Sequence, residues 1–409
     1  MFKFENSAVS VVPDRVKLGS KKKMEKEQVI HLIQNAFPEN DISKQCNIHI
    51  KNLDNAKSFW SKIYQVDLHW KGDHLRDLFP KSVFVKLPII SDNVKNGESD
   101  DMETLRELER TLKTITKIEN DFINMINNVK IPYFTTVHSY YVENITDTLQ
   151  GGMVSKNLVG KAFAAEYIPG FNEKQVLRLM DALAGLHFWS ITNAHIWRQK
   201  FGKLDTIDKG CTAFFYDSVM QFENIRPDWF KDKVSPLKWG FTEKFAEASM
   251  GDTLGLPPVL VHYDLNVTNL LWHNNSDSDD LAAIIDFQFT HSGRITEDIL
   301  RILQIGISPE DRKLNKDKYL KRYYNTLSEL FNGKPPFSLE DVYKNYDANY
   351  FYTATFSLFG VINYFNMYND NEIESCPKKR EYFQKELLNI AKGIIDDIYG
   401  NDFDKPVPH

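Results

Sequence analysis

The sequence predicts an α+β chain in two lobes, a β-rich N-terminal one over residues 1–168 and a mainly helical C-terminal one over residues 169–409. Short alternating runs between Asn47 and Leu87 read as strands of an antiparallel sheet. From Glu173 onward, apolar residues recurring every three or four positions read as helices. Between these regions Pro169-Gly170 is a strong turn signal, and the lobe boundary is placed there.

Taken in order, Lys21 to Phe37 predicts an amphipathic helix with Val29, Leu32, Ile33 and Phe37 on its apolar stripe. Ile48 to Ile50, Ile63 to Leu68 and Ser82 to Leu87 predict strands. A polar loop at 92–101 then precedes one long helix through Leu105, Leu108, Leu112, Ile115, Phe122 and Ile126. Strand-like segments follow at Thr135 to Val142 and Lys161 to Tyr167, and then a helix from Glu173 to Trp189. An extended island breaks the helical half: Val259 to Val261, Asn269 to Trp272 and Leu281 to Ile285. Helices resume near 297–305, 317–331, 339–368 and 379–399.

Lys plus Arg 50 against Asp plus Glu 56 leaves a net charge of -6, which gives no reason to expect nucleic acid or an anionic membrane surface as partner. No stretch is long and uncharged enough to span a membrane. Cys46, Cys211 and Cys376 are odd in number and far apart, which argues against a disulfide framework and a structural zinc site. With charges from Lys3 onward and no apolar leader, the chain fits a reducing, cytoplasmic compartment. A small molecule is the expected partner.

The chemistry concentrates in His262-Tyr-Asp264-Leu-Asn-Val-Thr-Asn269, after one buried-looking strand, and in Asp286-Phe287-Gln288, after the next. Phosphoryl transfer needs a carboxylate to orient the attacking hydroxyl and take its proton. It also needs an amide oxygen and a second carboxylate to hold the magnesium that bridges the phosphates. In this scheme His262 and Asp264 are the catalytic residues, with Asp264 the base, and Asn269 and Asp286 are the metal ligands. ATP and Mg2+ are the expected cofactors.

Lys86 ends the run Val83-Phe84-Val85-Lys86-Leu87 and would serve as the phosphate-binding lysine, or otherwise as an edge charge. Glu119 favours the first reading, because it falls on the apolar stripe of Ile115 and Phe122. A carboxylate on an apolar face is costly unless a cation meets it, so Lys86 and Glu119 are expected to pair.

His262 to Asn269, Ile284-Ile-Asp-Phe-Gln288 and Glu297-Asp-Ile-Leu-Arg301 resemble the choline kinase and aminoglycoside phosphotransferase superfamily, most closely its ecdysteroid kinase-like branch. The resemblance runs from about Asn47 to the C-terminus and implies a protein kinase-like fold. It also implies phosphorylation of a hydroxyl on a small organic molecule, sterol-like or choline-like. Under it, Asp298 would brace the catalytic loop and Arg301 the helix behind it, and Glu166, Tyr167 and Ile168 would bind adenine through their backbone. The phosphate-covering loop would fall at Asn55 to Ser61, with Ser58 and Ser61 serving in place of absent glycines. Tyr263 stands where the family has Gly, and Asn266 where it has Trp. The glycine-free loop motivates a rival reading, a catalytically silent protein that binds nucleotide or a hydrophobic ligand.

Overall fold

The computed structural model describes residues 18–53, 60–89, 102–202, 209–238, 253–274, 279–368 and 375–400. The stretch 54–59, with Ser58, and the polar loop at 92–101 lie outside them. Strands β1 (Cys46–Asn52), β2 (Ser61–Trp70), β3 (Ser82–Pro88), β4 (Ser139–Glu143) and β5 (Gly152–Lys156) form an antiparallel sheet in the order β1-β2-β3-β5-β4. Because side chains alternate along a strand, Val83, Val85 and Leu87 of β3 share one buried face, and Phe84 and Lys86 share the other.

Helix α1 (Leu18–Ala36) covers the first face. Its Val29, Leu32 and Ile33, with Phe37 beyond its end, form one core with Val66, Leu68, Trp70, Val83, Val85, Leu87 and Val154. Burying three such aliphatic side chains contributes on the order of 5 kcal/mol. Polar contacts pin the helix at both sides of the sheet: Glu25 accepts from Lys62 Nζ at 2.6 Å and from Tyr64 Oη at 3.0 Å, and His31 Nε2 meets Glu143 Oε1 at 2.8 Å. Gly152 makes the close approach feasible, since a Cβ there would stand 2.5 Å from Leu32 Cδ1. The sequence reading passed over β5, which is short and opens on this glycine.

Helix α2 (Met102–Ile126) is the long helix expected before β4. Phe122, Ile123 and Ile126, near its end, belong to a second and larger core. That core is built on α3 (Glu173–Thr192), α4 (Lys209–Ile225), α5 (Glu297–Ile305), α6 (Pro309–Leu330), α7 (Leu339–Met367) and α8 (Pro377–Gly400). Sequence reading also missed α4, although Phe215, Val219 and Phe222 repeat at helical spacing and are buried. At Gly185 of α3 an added Cβ would sit 1.7 Å from the Pro132 carbonyl oxygen, so the loop after α2 rests directly on the α3 backbone.

Two small sheets lie at the lobe junction. Strand β6 (Ala162–Ala164) pairs with β8 (Leu270–His273), which pairs with β9 (Leu281–Ile284); β7 (Val259–Val261) pairs with β10 (His291–Gly293). The chain therefore leaves the five-stranded sheet at Lys156 and pairs with β8 from Ala162. Pro169-Gly170 marks the entry to α3, where Phe171 N donates to Gly306 O at 2.7 Å.

Candidate active site

The site forms where β3, α2 and the two loops flanking the β8–β9 hairpin meet. Strand β3 projects Lys86 from its cleft-facing side, and α2 presents Glu119, which is only 6% exposed. Lys86 Nζ stands 2.9 and 2.8 Å from the two carboxylate oxygens of Glu119 and 2.6 Å from Asp286 Oδ1. Burial alone would pull the lysine pKa down. The charges of Asp286 and Glu119 and their hydrogen bonds outweigh it and hold the ammonium above its usual range. Asp286 has φ +69°, a left-handed conformation that Asp tolerates better than most residues, and this turn aims its carboxylate at Lys86.

The loop from His262 to Asn269 follows β7. Its backbone is held from below by Asp298, which is 1% exposed at the start of α5. Asp298 Oδ2 accepts from His262 N, and Oδ1 from Tyr263 N, both at 2.8 Å. His262 Nε2 donates to Ile285 O at 2.9 Å, while Nδ1 accepts from Asp264 N at 3.3 Å. Both ring nitrogens are thus engaged with backbone. His262 thereby ties the loop to the Asp286 turn.

Asp264 points into the cleft with both carboxylate oxygens bonded. Oδ1 accepts from Asn266 Nδ2 and Arg301 Nη2, each at 3.0 Å, and Oδ2 from Asn269 Nδ2 at 3.3 Å. Asn269 Nδ2 also donates to Asp264 O at 2.9 Å. Only the amine side of the amide can face two acceptors, so Asn269 Oδ1 is turned away from Asp264. Ile285 N donates to Asn269 O at 3.0 Å, which links the Asn269 and Asp286 turns.

Behind the site, Phe287 stacks on Phe122 of α2 at 4.1 Å between ring centroids and lies 4.8 Å from the His262 ring. Tyr263, where the family has Gly, keeps the left-handed φ of +72° and stacks on Phe356 at 4.7 Å. Tyr346, Tyr350, Phe351, Tyr352 and Phe356 of the aromatic run on α7 are buried. Tyr364, further along, reaches Tyr167 with 3.6 Å between ring centroids. Burial and then the Asp264 charge push the Tyr364 phenol up to about 12, against the hydroxyls of Tyr167 and Thr268 and the Arg301 charge.

The remaining expected site residues fall in different places. Ser61 opens β2 opposite Pro88 and is buried. Glu166, Tyr167 and Ile168 follow β6 in the second lobe, and Tyr167 faces the Asp264 side through Tyr364. Asn157 to Lys161 lead from β5 directly into β6. Asp298 and Arg301, whose spacing also suits a surface ion pair, are both buried and bond elsewhere.

Below the loop, His291 Nδ1 donates to Phe289 O at 2.9 Å, and Nε2 meets Glu297 Oε2 at 3.1 Å. A carbonyl and a carboxylate as partners favour an N–H on both ring nitrogens, the arrangement of an imidazolium. Burial pulls its pKa down, but the Glu297 bond and charge, the Phe289 carbonyl and the Asp298 charge together raise it above the ordinary 6.5. A raised folded pKa contributes stability in full below the unfolded value, and that contribution is lost as pH climbs through the folded one. Thermal midpoints should therefore fall as pH rises above the ordinary imidazole value of 6.5. His291→Gln should flatten that slope, and an unchanged slope would remove the pair from the account.

The lobe order, the sheet order and the placement of this site define the two-lobed kinase-like fold. A solved choline kinase from Cryptosporidium parvum Iowa II shares it at TM-score 0.50 and 11% identity, over 92% of this chain and 96% of that one. The family model DUF1679, described as "Uncharacterized oxidoreductase dhs-27", matches residues 27–402, and the chain belongs to that family. The "Uncharacterized kinase-like protein D1044.1" of Caenorhabditis elegans is 31% identical over 361 residues, which are 87% of this chain and 94% of the relative. The oxidoreductase dhs-27 of the same organism is 28% identical over 210 residues, 48% of this chain but 25% of its own length. Most of the protein that lends the family its description thus lies outside the match.

Proposed function

We propose that this protein is an ATP- and Mg-dependent phosphotransferase that phosphorylates a hydroxyl group of a small organic molecule. The observation that carries the reading is the convergence of Asp264, Asn269 and Asp286 with the Lys86–Glu119 pair around one cleft. Among the described residues no three His, Cys, Asp or Glu side chains cluster as a metal cage. Magnesium typically rests on one or two protein oxygens and takes the rest from phosphates and water. Asn269 Oδ1 and Asp286 Oδ2 are the atoms left over for it, since Asn269 Nδ2 is spent on Asp264 and Asp286 Oδ1 on Lys86.

When bound, the ion would neutralise phosphate charge during transfer. Lys86, aligned by Glu119, binds the phosphates, and Asp264 orients the acceptor hydroxyl and takes its proton. The backbone after β5, from Asn157 to Lys161, is the segment we assign to the adenine, in place of Glu166 to Ile168. Tyr167 and Tyr364, beside Asp264, belong instead to the acceptor side, and their rings suit a sterol-like or choline-like acceptor. No helix among the described residues is long and apolar enough to cross a membrane, and a cytoplasmic location is part of the same proposal.

Incubation with magnesium and ATP against a pool of hydroxylated metabolites tests this directly. One metabolite gaining the mass of a phosphate is the expected result. Nucleotide binding without any mass gain or ATP turnover would favour the catalytically silent reading that the glycine-free Asn55 to Ser61 stretch raises.

A further inference from the structure

Asp264 is gripped unevenly. Its Oδ1 takes two donors at 3.0 Å, Asn266 Nδ2 and Arg301 Nη2, while Oδ2 takes one at 3.3 Å. Arg301 has a seat of its own. Its Nη1 donates to Phe356 O at 2.9 Å, its guanidinium lies 4.4 Å from the Phe356 ring centroid, and Tyr263 stacks on the same ring. One turn further along α7, Gly360 leaves the space the guanidinium needs: a Cβ there would come within 3.1 Å of Nη2. The Arg301 side chain is 4% exposed, so its planar fork is fixed by packing as well as by charge.

Asn266 is held just as closely. Its Oδ1 accepts from Thr268 N at 2.9 Å and Thr268 Oγ1 at 2.6 Å, which leaves its amine side to face Asp264. Two rigid donors on one oxygen fix the carboxylate plane, and the oxygen with the single long contact keeps a lone pair for an incoming proton.

We infer that Arg301 and Asn266 are positioning residues that clamp Asp264 by Oδ1, so that Oδ2 is the oxygen that receives the acceptor's proton. The inference rests on the phosphotransferase reading for its chemistry. In that step the acceptor oxygen bonds to the γ-phosphorus, and the bond from that phosphorus to the bridging oxygen breaks with its electron pair going to ADP. The acceptor's proton passes to Asp264 Oδ2. A carboxylate free to turn would lose the near-attack geometry, for which a 1 Å misplacement costs about 10²-fold.

Two measurements test the clamp. In the first, phosphate transfer from Mg-ATP, to the acceptor found by the screen or to water, is compared for wild type, Arg301→Gln, Arg301→Lys and Asn266→Ser. Expected is a kcat loss approaching 10²-fold in Arg301→Gln with the KM for ATP unchanged, and partial recovery in Arg301→Lys. Asn266→Ser keeps an oxygen to cap the Thr268 turn but loses the amide donor, so it decides the matter even if Arg301→Gln fails to fold. Unchanged kcat in Asn266→Ser, or in a folded Arg301→Gln, would overturn the clamp. In the second, nitrogen-15 NMR of the Arg301 guanidinium should show its Nη protons separately resolved in wild type and averaged in Asp264→Ala, which removes the acceptor oxygens altogether. Free rotation in wild type would also overturn the clamp, and this readout needs no turnover. A wild type that transfers no phosphate to any acceptor would therefore sink the phosphotransferase reading while leaving the clamp to be decided by NMR.

Discussion

Replacing Asp264 by Asn is expected to lower phosphoryl transfer by roughly 10²- to 10⁴-fold, the usual contribution of a positioned general base. That corresponds to about 3–5 kcal/mol on the barrier. Asn is the informative substitution because its amide oxygen can still accept from Arg301, which lies 3.0 Å away with its side chain 4% exposed. Asp264→Ala would instead leave that cation buried beside the Phe356 carbonyl alone. It should cost on the order of 3 kcal/mol in stability besides the activity. Initial rates with saturating Mg-ATP, read beside thermal unfolding of both variants, separate the two effects. A rate in Asp264→Asn equal to wild type removes this carboxylate from the mechanism.

For Asp286→Asn the expected loss is in binding rather than in chemistry. With the nucleotide at about 100 times its dissociation constant, Mg-ATP should stabilise the wild type by about 2.7 kcal/mol. The variant should lose most of the magnesium-dependent part. Asn tolerates the left-handed backbone at this position, φ +69°, nearly as well as Asp does, so the substitution removes charge without straining the turn. It also takes one of two carboxylates from Lys86. Thermal shift with ATP, with and without magnesium, reads the difference. A full magnesium-dependent shift in Asp286→Asn would show that this carboxylate is not a ligand.

Some of this was legible in the sequence for a definite reason. The loop at 262–269 and the Asp286 turn are short-range patterns between strands, and a hairpin leaves little freedom in how they meet. The Lys86–Glu119 ion pair could be reached from one anomaly, a carboxylate on an apolar stripe. What escaped depends on long-range packing. Arg301 is three residues from Asp298, so local spacing offers it a neighbour, whereas its real partners come from the catalytic loop and α7. The pairing of β6 with β8 escaped because it joins segments about a hundred residues apart, which local patterning does not register. Tyr263 gave no sign of its stacking on Phe356, since the two are far apart in the chain.

The described residues form two separate oily interiors, and the long helix ends in the larger one. Lys86 hangs from the smaller, while Glu119 and Asp286 approach from the helix and the far loop. A single ammonium shared by two carboxylates thus welds the halves at the cleft. Any polyanion drawn to that ammonium must share it or displace its present holders, so filling the cleft and altering the grip between the halves are two readings of one equilibrium.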